Sequence, residues 1–246
     1  MVDSASGLKE AVDDPGVTCI KLAPAVYKLA ATLFIDRTLA IVAEEGRATL
    51  DGGGSVQLMF LGASVFQGKA PSDTFVALYN LDLINGLASS IPDPAQPSIR
   101  RQVGGAILSF GVMALHACGF RGNFAPDYGG AIANAGMMEM ATCTFTDNRA
   151  DKGGGAVFNY HGKMDMRTCT LTRNYAGEFG GAIFNNGESA PETHELKMHT
   201  CTLTTNSAVE VRLLPPRSAP LTALHHPAPR AAARRRVAVC TTTTAR

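Results

Sequence analysis

The sequence contains no tryptophan, and only 17% of its 246 residues are charged. A helical protein of this length carries more charge on its exposed faces, so the low charge argues against a mainly helical fold. Glycine is frequent, with 25 residues, and 46% of the residues are hydrophobic. This combination is typical of a protein built from many short strands and turns, and it predicts an all-β domain.

The sequence also lacks a hydrophobic run long enough to span a membrane, which takes about 20 residues. Its first residues, MVDSASGLKEAVDD, have neither the basic start nor the apolar stretch of a secretory signal. We therefore expect no transmembrane segment. The residues alone leave the compartment and the oligomeric state open.

Positive charge is concentrated at the end of the sequence. The formal net charge is +1, yet residues 209–246 hold seven arginines and one glutamate, a local charge of about +6. Their Pro, Ala and Arg composition cannot bury a core, so we expect a disordered tail. We favour a truncated or misjoined gene model as its origin over a basic tail that binds nucleic acid, and we expect no nucleic-acid partner.

A four-residue motif returns at a nearly fixed interval. GGAI begins at Gly104, Gly129 and Gly180, and GGAV begins at Gly154, with spacings of 25, 25 and 26 residues. Three other residue types recur in step with this motif. They are the cysteines Cys118, Cys143, Cys169 and Cys201, the apolar residues Phe120, Phe145, Leu171 and Leu203, and the asparagines Asn123, Asn148, Asn174 and Asn206. A period of this length indicates a fold of stacked repeats.

Within each repeat, apolar and polar residues alternate, as in Met138, Glu139 and Met140. This period of two predicts short strands, and the intervening Gly and Asn residues predict turns. We therefore predict a parallel β-helix over residues 1–208, with repeats of about 25 residues that are clearest at 104–208. Stacking would bury the four cysteines in one column of reduced thiols, and it would place the asparagines at a bend, where their amides bond one another.

The start of the chain predicts a cap for this stack. Leu8, Ala11 and Val12 lie on one face of a short amphipathic helix, and strands follow at CIKLA, LFI and LAIVA. A helix in this position would cover the open end of the β-helix. Such a cap prevents an exposed sheet edge from pairing with other chains.

The recurring motifs resemble those of a known group. GGAI followed by CTFTDN, and GGAV followed by CTLTRN, resemble the repeat of chlamydial polymorphic outer-membrane proteins and related right-handed β-helix proteins of the pectin-lyase-like superfamily. The resemblance covers about residues 104–208 and implies a right-handed coil and an extracellular or cell-surface location. It implies either a surface module or an enzyme that cleaves polysaccharides.

The outward-facing positions of the predicted strands contain one mixed cluster of charges. Enzymes of the pectin-lyase-like superfamily, which the repeats resemble, use aspartates, often with calcium, or a basic residue on adjacent coils for catalysis. The weak catalytic candidates here are Glu139, Asp165, Arg167, Lys197 and His199. A carboxylate beside a cation could transfer protons, but the same residues could equally form charge pairs on a solvated strand surface.

Metal binding has only weak support in the sequence. Asp127, Asp151 and Glu178 precede successive GG steps, so they would gather at one edge, where calcium is conceivable. Lys152 interrupts this acidic column, which favours solvated turn residues instead. His161 and His199 are isolated, and no histidine has the partner spacing of a metal site. We predict no metal and no cofactor.

Threonines flank each cysteine of the three most regular repeats. The nine residues are Thr142, Thr144, Thr146, Thr168, Thr170, Thr172, Thr200, Thr202 and Thr204. If all nine point outward, they form a flat grid with spacings of about 4.8 Å between coils and about 6.7 Å along each strand. Such a grid could bind sugar hydroxyls, or ice in the manner of insect antifreeze proteins. It could also reflect only the preference of threonine for strands.

These observations lead to a ranked hypothesis about function. We favour a non-catalytic surface module of adhesin-like type that contacts a polysaccharide or a cell-surface glycan. The main alternative is a polysaccharide lyase or glycoside hydrolase that uses the charged cluster. Ice binding through the threonine grid is a minor alternative.

Overall fold

The computed structural model describes residues 1–62, 74–92, 100–186 and 195–209. Almost all of the predicted tail at 209–246, and most of the polar insertion NGESAPETHE, therefore lie outside the described residues. The boundary at residue 208 and the disorder of the tail stay predictions. The described residues form mostly strands in parallel sheets, with one N-terminal helix.

The helix spans Ala5–Asp13 and begins after Ser4, whose side chain accepts a hydrogen bond from the amide of Gly7. A serine in this position satisfies an amide that has no partner within the helix. Leu8 and Val12 are buried against the first coil of the stack, and Ala11 packs beside them. The predicted amphipathic helix over the end of the β-helix is confirmed.

The turns of the β-helix, called coils below, contribute strands to three parallel sheets, which we call the first, second and third faces. Each coil adds one strand to each face, except that the last described coil adds none to the third. The strands of the first face are Cys19–Leu22, Leu39–Ala43, Phe75–Tyr79, Val112–His116, Met137–Ala141, Lys163–Arg167 and Glu195–His199. Those of the second face are Val26–Lys28, Ala48–Asp51, Leu81–Ile84, Gly119–Arg121, Thr144–Thr146, Thr170–Thr172 and Thr202–Thr204. Those of the third face are Leu33–Ile35, Met59–Leu61, Ile107–Ser109, Ile132–Asn134, Val157–Tyr160 and Ile183–Asn186.

Two smaller sheets complete the fold. A short parallel ladder follows the second face and contains Phe124–Ala125, Arg149–Ala150, Tyr175–Ala176 and Ser207–Ala208. Ser90–Pro92 and Arg100–Gln102 form an antiparallel pair beside the stack. The prediction of an all-β parallel β-helix with an N-terminal helix is confirmed. Its right-handed sense stays a prediction.

The core consists of residue columns that run from coil to coil, as the sequence predicted. Met113, Met138 and Met164 are Cα partners on neighbouring strands and are at most 2% exposed. The rings of Phe120 and Phe145 stack with centroids 4.7 Å apart and planes inclined by 5°. Because every coil repeats the previous one, one side-chain type can fill the same layer of the interior in successive coils.

The cysteine column is also present. Cys118, Cys143 and Cys169 are buried, Cys201 is partly buried, and all four are free thiols. Each sulfur lies 3.4–3.8 Å from a first-face carbonyl oxygen of the preceding coil. The thiols therefore act as small apolar side chains that donate weak hydrogen bonds, and the prediction of reduced, inward-facing cysteines is confirmed.

Two sharp corners bound the second face. Residues at the first corner, between the first and second faces, have positive φ angles of 52–57°, and they are Asn80, Ala117, Thr142, Thr168 and Thr200. Residues at the second corner have φ angles of 52–64°, and they are Asn85, Gly122, Asp147, Arg173 and Thr205. A left-handed residue turns the chain within one step, while its amide still bonds the next coil, as Thr142 N does to Arg167 O over 2.9 Å.

The GGAI motif marks a third tight turn, before the third face. The first glycine needs a positive φ, which is 68° at Gly129. The second glycine lies against the next coil, because a Cβ on Gly130 would be 2.2 Å from the carbonyl oxygen of Gly155. The motif recurs because each coil needs one turn residue and one residue without a side chain at this point.

The outer side of the third face is apolar. Phe60, Leu108, Ala133 and Phe158 lie there and are 2–6% exposed, packed with Val103. The exposed polar positions of the β-helix therefore lie mainly on the other two faces. Those two faces and the corner between them contain the predicted catalytic and threonine residues.

Candidate functional site

The weak catalytic candidates lie together on the outer side of the first face. Glu139, Asp165 and Lys197 are successive Cα partners, and Arg167 and His199 are partners in the next column. Their ion pairs, however, run along the strands instead of between them. Arg167 Nη2 lies 2.7 Å from Asp165 Oδ2. Lys197 Nζ lies 2.9 Å from Glu195 Oε2.

These ion pairs make the first-face cluster a poor proton-transfer centre. The hydrogen bond from Arg167 lowers the pKa of the Asp165 carboxyl from its ordinary value of 3.8, and the same contact raises the pKa of Arg167. A carboxyl that acts as a general acid near neutral pH needs a raised pKa, and an arginine that acts as a general base needs a lowered pKa. Asp165 and Arg167 are shifted in the opposite directions.

The structure corrects the prediction of nine threonines in a flat grid. Only six lie in second-face strands, namely Thr144, Thr146, Thr170, Thr172, Thr202 and Thr204, and we call these six the threonine surface. Thr142, Thr168 and Thr200 instead occupy the first corner, with φ angles of 53–57°. A corner residue turns away from the pleated plane of the sheet, so these three hydroxyls are not in register with the others.

The threonine surface is continuous from coil to coil. Thr144 and Thr170 are Cα partners, and Thr170 is in turn the partner of Thr202. The hydroxyl oxygens of Thr172 and Thr204 lie 3.1 Å apart and form a hydrogen bond. The surface is therefore partly ordered by its own hydroxyl contacts, while Thr144, Thr170 and Thr202 are exposed.

A groove adjoins the threonine surface on the second face. Its volume is about 470 Å³, and its lining includes Asp82, Gly119, Arg121, Thr144, Asp147 and Arg173. Binding sites for small ligands commonly have volumes of about 300–1,000 Å³. The groove therefore has the size of a ligand site, and its lining is rich in polar and charged groups.

Gly119 forms the lowest part of this groove. It occupies the repeat position of Thr144, its Cα partner, but has no side chain. A Cβ at this position would be 2.3 Å from Asp82 Oδ1 and 3.2 Å from an Arg47 nitrogen. Arg47 contacts Asp82 Oδ2 at 2.9 Å and the carbonyl oxygen of Ala117 at 2.8 Å, so it spans three coils. The Arg47–Asp82 ion pair therefore occupies the space that a side chain at position 119 would need.

A second ion pair borders the groove at the second corner. Arg173 donates to both carboxylate oxygens of Asp147, over 2.8 and 3.0 Å. This contact lowers the pKa of the Asp147 carboxyl from 3.8 and raises the pKa of Arg173. Arg121 also lowers the pKa of Asp147 through its charge. Paired, charged groups of this kind can bind a polar ligand, and the lowered pKa of Asp147 makes that carboxyl a poor acid.

Sequence reasoning did not find this groove, although part of the signal is visible. The segment CGFRGN at 118–123 aligns with CTFTDN and CTLTRN, so glycine and arginine replace two threonines. Asp147 and Arg173 stand at the same repeat position with opposite charge. Arg47 and Asp82 carry no such signal, because they belong to coils outside the regular repeats.

The proposed calcium edge consists of charge pairs. Asp127 pairs with Lys152 on the next coil, and Asp127 Oδ2 accepts the amide hydrogen of Gln102 over 2.8 Å. Asp151 pairs with Arg149 at 2.8 Å. In the described parts of the chain, no group of three or more His, Cys, Asp or Glu side chains is placed to hold a metal ion. A calcium site here stays untested.

Among the described residues, no helix has the length and apolarity needed to cross a membrane.

One repeat of the chain is similar to a known repeat family. The family described as the Chlamydia polymorphic membrane protein repeat matches residues 142–160. The matched segment contains Thr144, Thr146 and Asp147, which line the groove. No curated protein matches the chain. No solved structure matches it either.

Proposed function

We propose that this chain is a non-catalytic β-helix module of adhesin-like type, which contacts carbohydrate through the groove and the threonine surface of the second face. In this proposal it is a cell-surface relative of the polymorphic membrane proteins, within the wider pectin-lyase-like group. The observation that carries the proposal is the groove. Its size suits a ligand, and it is lined by hydroxyl, carboxylate and guanidinium groups.

The chemistry of the groove favours binding over cleavage. Carboxylates in fixed positions accept hydrogen bonds from sugar hydroxyls, and guanidiniums donate hydrogen bonds to them. Hydrolysis of a glycosidic bond commonly uses a pair of carboxyl groups, one of which holds a proton near neutral pH. Asp147 is ion-paired and its pKa is lowered, and Asp82 pairs with Arg47. Hydroxyls without a base add no nucleophile.

The repeat similarity supports the same proposal. Residues 142–160 match the polymorphic membrane protein repeat, and this segment supplies part of the groove lining. Fold and repeat alone do not define a function, so the proposal depends on the site. Regular stacking gives the site rigidity, because each groove residue lies on a hydrogen-bonded strand or at a corner bonded to the next coil.

The test is a panel of neutral and acidic native polysaccharides, examined for both binding and product release. We expect the purified chain to bind at least one polymer, measured by calorimetry, without releasing reducing or unsaturated sugar. Asp165→Asn, on the first face, should bind as the wild type does. Failure to bind any polymer would refute the proposal. Sugar release that Asp165→Asn abolishes would establish the enzyme alternative.

A further inference from the structure

Three arginines and two aspartates lie in or beside the lining of the groove. After two arginine–aspartate pairs form, one arginine has no carboxylate partner. Arg47 makes two contacts to Asp82, and Arg173 makes two contacts to Asp147. Each of these pairs is nearly neutral when seen from the groove. The Arg121 side chain is exposed and makes no hydrogen bond or ion pair within the described residues, and it acts on Asp147 only through its charge. The groove therefore has one unneutralised cation.

The surroundings of Arg121 leave it accessible to a ligand. Its Cα partners on the two neighbouring coils are Ile84 and Thr146, which carry no charge. On its own strand, the outward position two residues earlier is Gly119, which has no side chain to cover the guanidinium. None of these three neighbours carries a charge that could pair with the Arg121 guanidinium.

A free guanidinium beside an open, polar groove defines a ligand chemistry. Arginine presents its N–H groups in a planar fork that matches a carboxylate or sulfate in two parallel hydrogen bonds. Thr144 and Thr146 can then bond neutral hydroxyls of the same ligand. A polymer with both hydroxyls and anionic substituents uses all of these groups.

We propose that Arg121 is the anion-binding subsite of the second-face groove, and that the ligand is a polysaccharide with carboxylate or sulfate substituents. This inference rests on the proposed carbohydrate-binding function and specifies its ligand class. An acidic protein segment would satisfy Arg121 equally well but would not use the threonine hydroxyls.

Dextran derivatives test the proposal, because the polymer backbone stays constant while its substituents change. Binding is measured for dextran, carboxymethyl-dextran, dextran sulfate and poly-glutamate, with the wild type, Arg121→Gln and Arg149→Gln. Arg149 lies on the short ladder and pairs with Asp151, so its variant loses the same charge outside the groove. Circular dichroism checks that each variant keeps the fold.

We expect the wild type to prefer an anionic dextran over plain dextran. Arg121→Gln should weaken that binding roughly tenfold or more, as expected for loss of a charged hydrogen bond, whereas Arg149→Gln should change it less than about twofold. The carboxymethyl and sulfate arms distinguish the two substituents, and dependence on Arg121 in either arm supports the subsite.

Three results would overturn the inference. They are equal binding of plain and anionic dextran, equal losses in the two arginine variants, and poly-glutamate binding as tight as that of the anionic dextrans. If the wild type binds none of the derivatives, the anion subsite is also wrong. The broader carbohydrate-binding function is then still decided by the panel of native polysaccharides.

Discussion

Asn148 donates its side-chain amide to Oδ1 of Asn174 over 2.9 Å, and both side chains are buried. The same amide donates to the carbonyl oxygen of Phe120 over 3.0 Å. In turn, Oδ1 of Asn148 accepts hydrogen bonds from the backbone and side-chain amides of Asn123. Asn148 thus makes four hydrogen bonds inside the β-helix, and the predicted asparagine column at a bend is confirmed.

We expect Asn148→Ala to destabilise the β-helix by about 3 kcal/mol or more, because several buried groups lose a partner that water cannot replace. Urea unfolding followed by circular dichroism measures the change. Thr144→Ala is the control in the same coil, since its side chain is exposed and should change the free energy of unfolding by about 0.5 kcal/mol or less. Similar losses in both variants would contradict a structural role for the ladder.

The asparagine and cysteine columns could be predicted from the sequence because stacking in register preserves repeat position. A residue type that recurs at each period must meet the same neighbours in each coil. Burial then follows from alternation, which placed Cys143 and Phe145 inside. These predictions needed no knowledge of the loops between the strands.

The corner threonines could not be predicted in the same way. Threonine strongly disfavours positive φ, so Thr142 next to Cys143 indicated a strand instead of a turn. The groove was missed for a different reason. Its Arg47–Asp82 pair depends on contacts between coils of unequal length, which a fixed period does not describe.

The corner conformation predicts a stabilising substitution. The φ angle of Thr168 is 54°, whereas the earlier coil has Asn80 at this corner, donating its side-chain amide to the carbonyl oxygen of Ala43 over 3.1 Å. Asparagine tolerates positive φ better than a β-branched residue does. We expect Thr168→Asn to raise the free energy of unfolding by up to about 1 kcal/mol.

The matched control for this corner is two residues away. Thr170 lies in a strand, where asparagine is disfavoured, so Thr170→Asn should lower stability. Urea unfolding of both variants gives the comparison. If Thr168→Asn loses as much stability as Thr170→Asn, then the positive φ of Thr168 does not cost stability that asparagine could restore.

The Asp147–Arg173 pair predicts a pH dependence. The pKa of Asp147 is lower in the folded state than its ordinary value of 3.8, so the folded protein binds this proton less readily than the unfolded chain. The stabilisation is therefore fully present above about pH 4, and it is lost as the pH falls through the lowered pKa. In Arg173→Gln, the pKa of Asp147 should rise.

Carboxyl NMR titration of Asp147 and acid unfolding measure these effects. The difference in stability between the wild type and Arg173→Gln should be constant above about pH 4 and should shrink at lower pH. Arg149→Gln removes an arginine that pairs with Asp151 and does not contribute to the lowered pKa of Asp147, so it should leave the Asp147 titration unchanged. An identical Asp147 pKa in the wild type and Arg173→Gln would exclude the pair as its cause.

The threonine surface predicts a loss of binding without a loss of fold. Thr144, Thr170 and Thr202 form one exposed column, so lysines at these three positions would project into solvent. Surface changes of this kind usually alter stability by about 0.5 kcal/mol or less each, with some added repulsion between stacked charges. Circular dichroism should therefore remain that of the wild type. Binding of a neutral carbohydrate or of ice crystals should disappear, because the lysines cover the surface that a regular ligand contacts.

The control places the same three charges on the same coils, but at the first corner. Thr142, Thr168 and Thr200 lie outside the plane of the second face, so lysines there should leave binding largely intact. If instead the corner variant loses binding and the Thr144, Thr170 and Thr202 variant retains it, the ligand contacts the corner and not the sheet. If binding survives in both variants, the threonines recur only because threonine favours strands, and the charged groove alone binds the ligand.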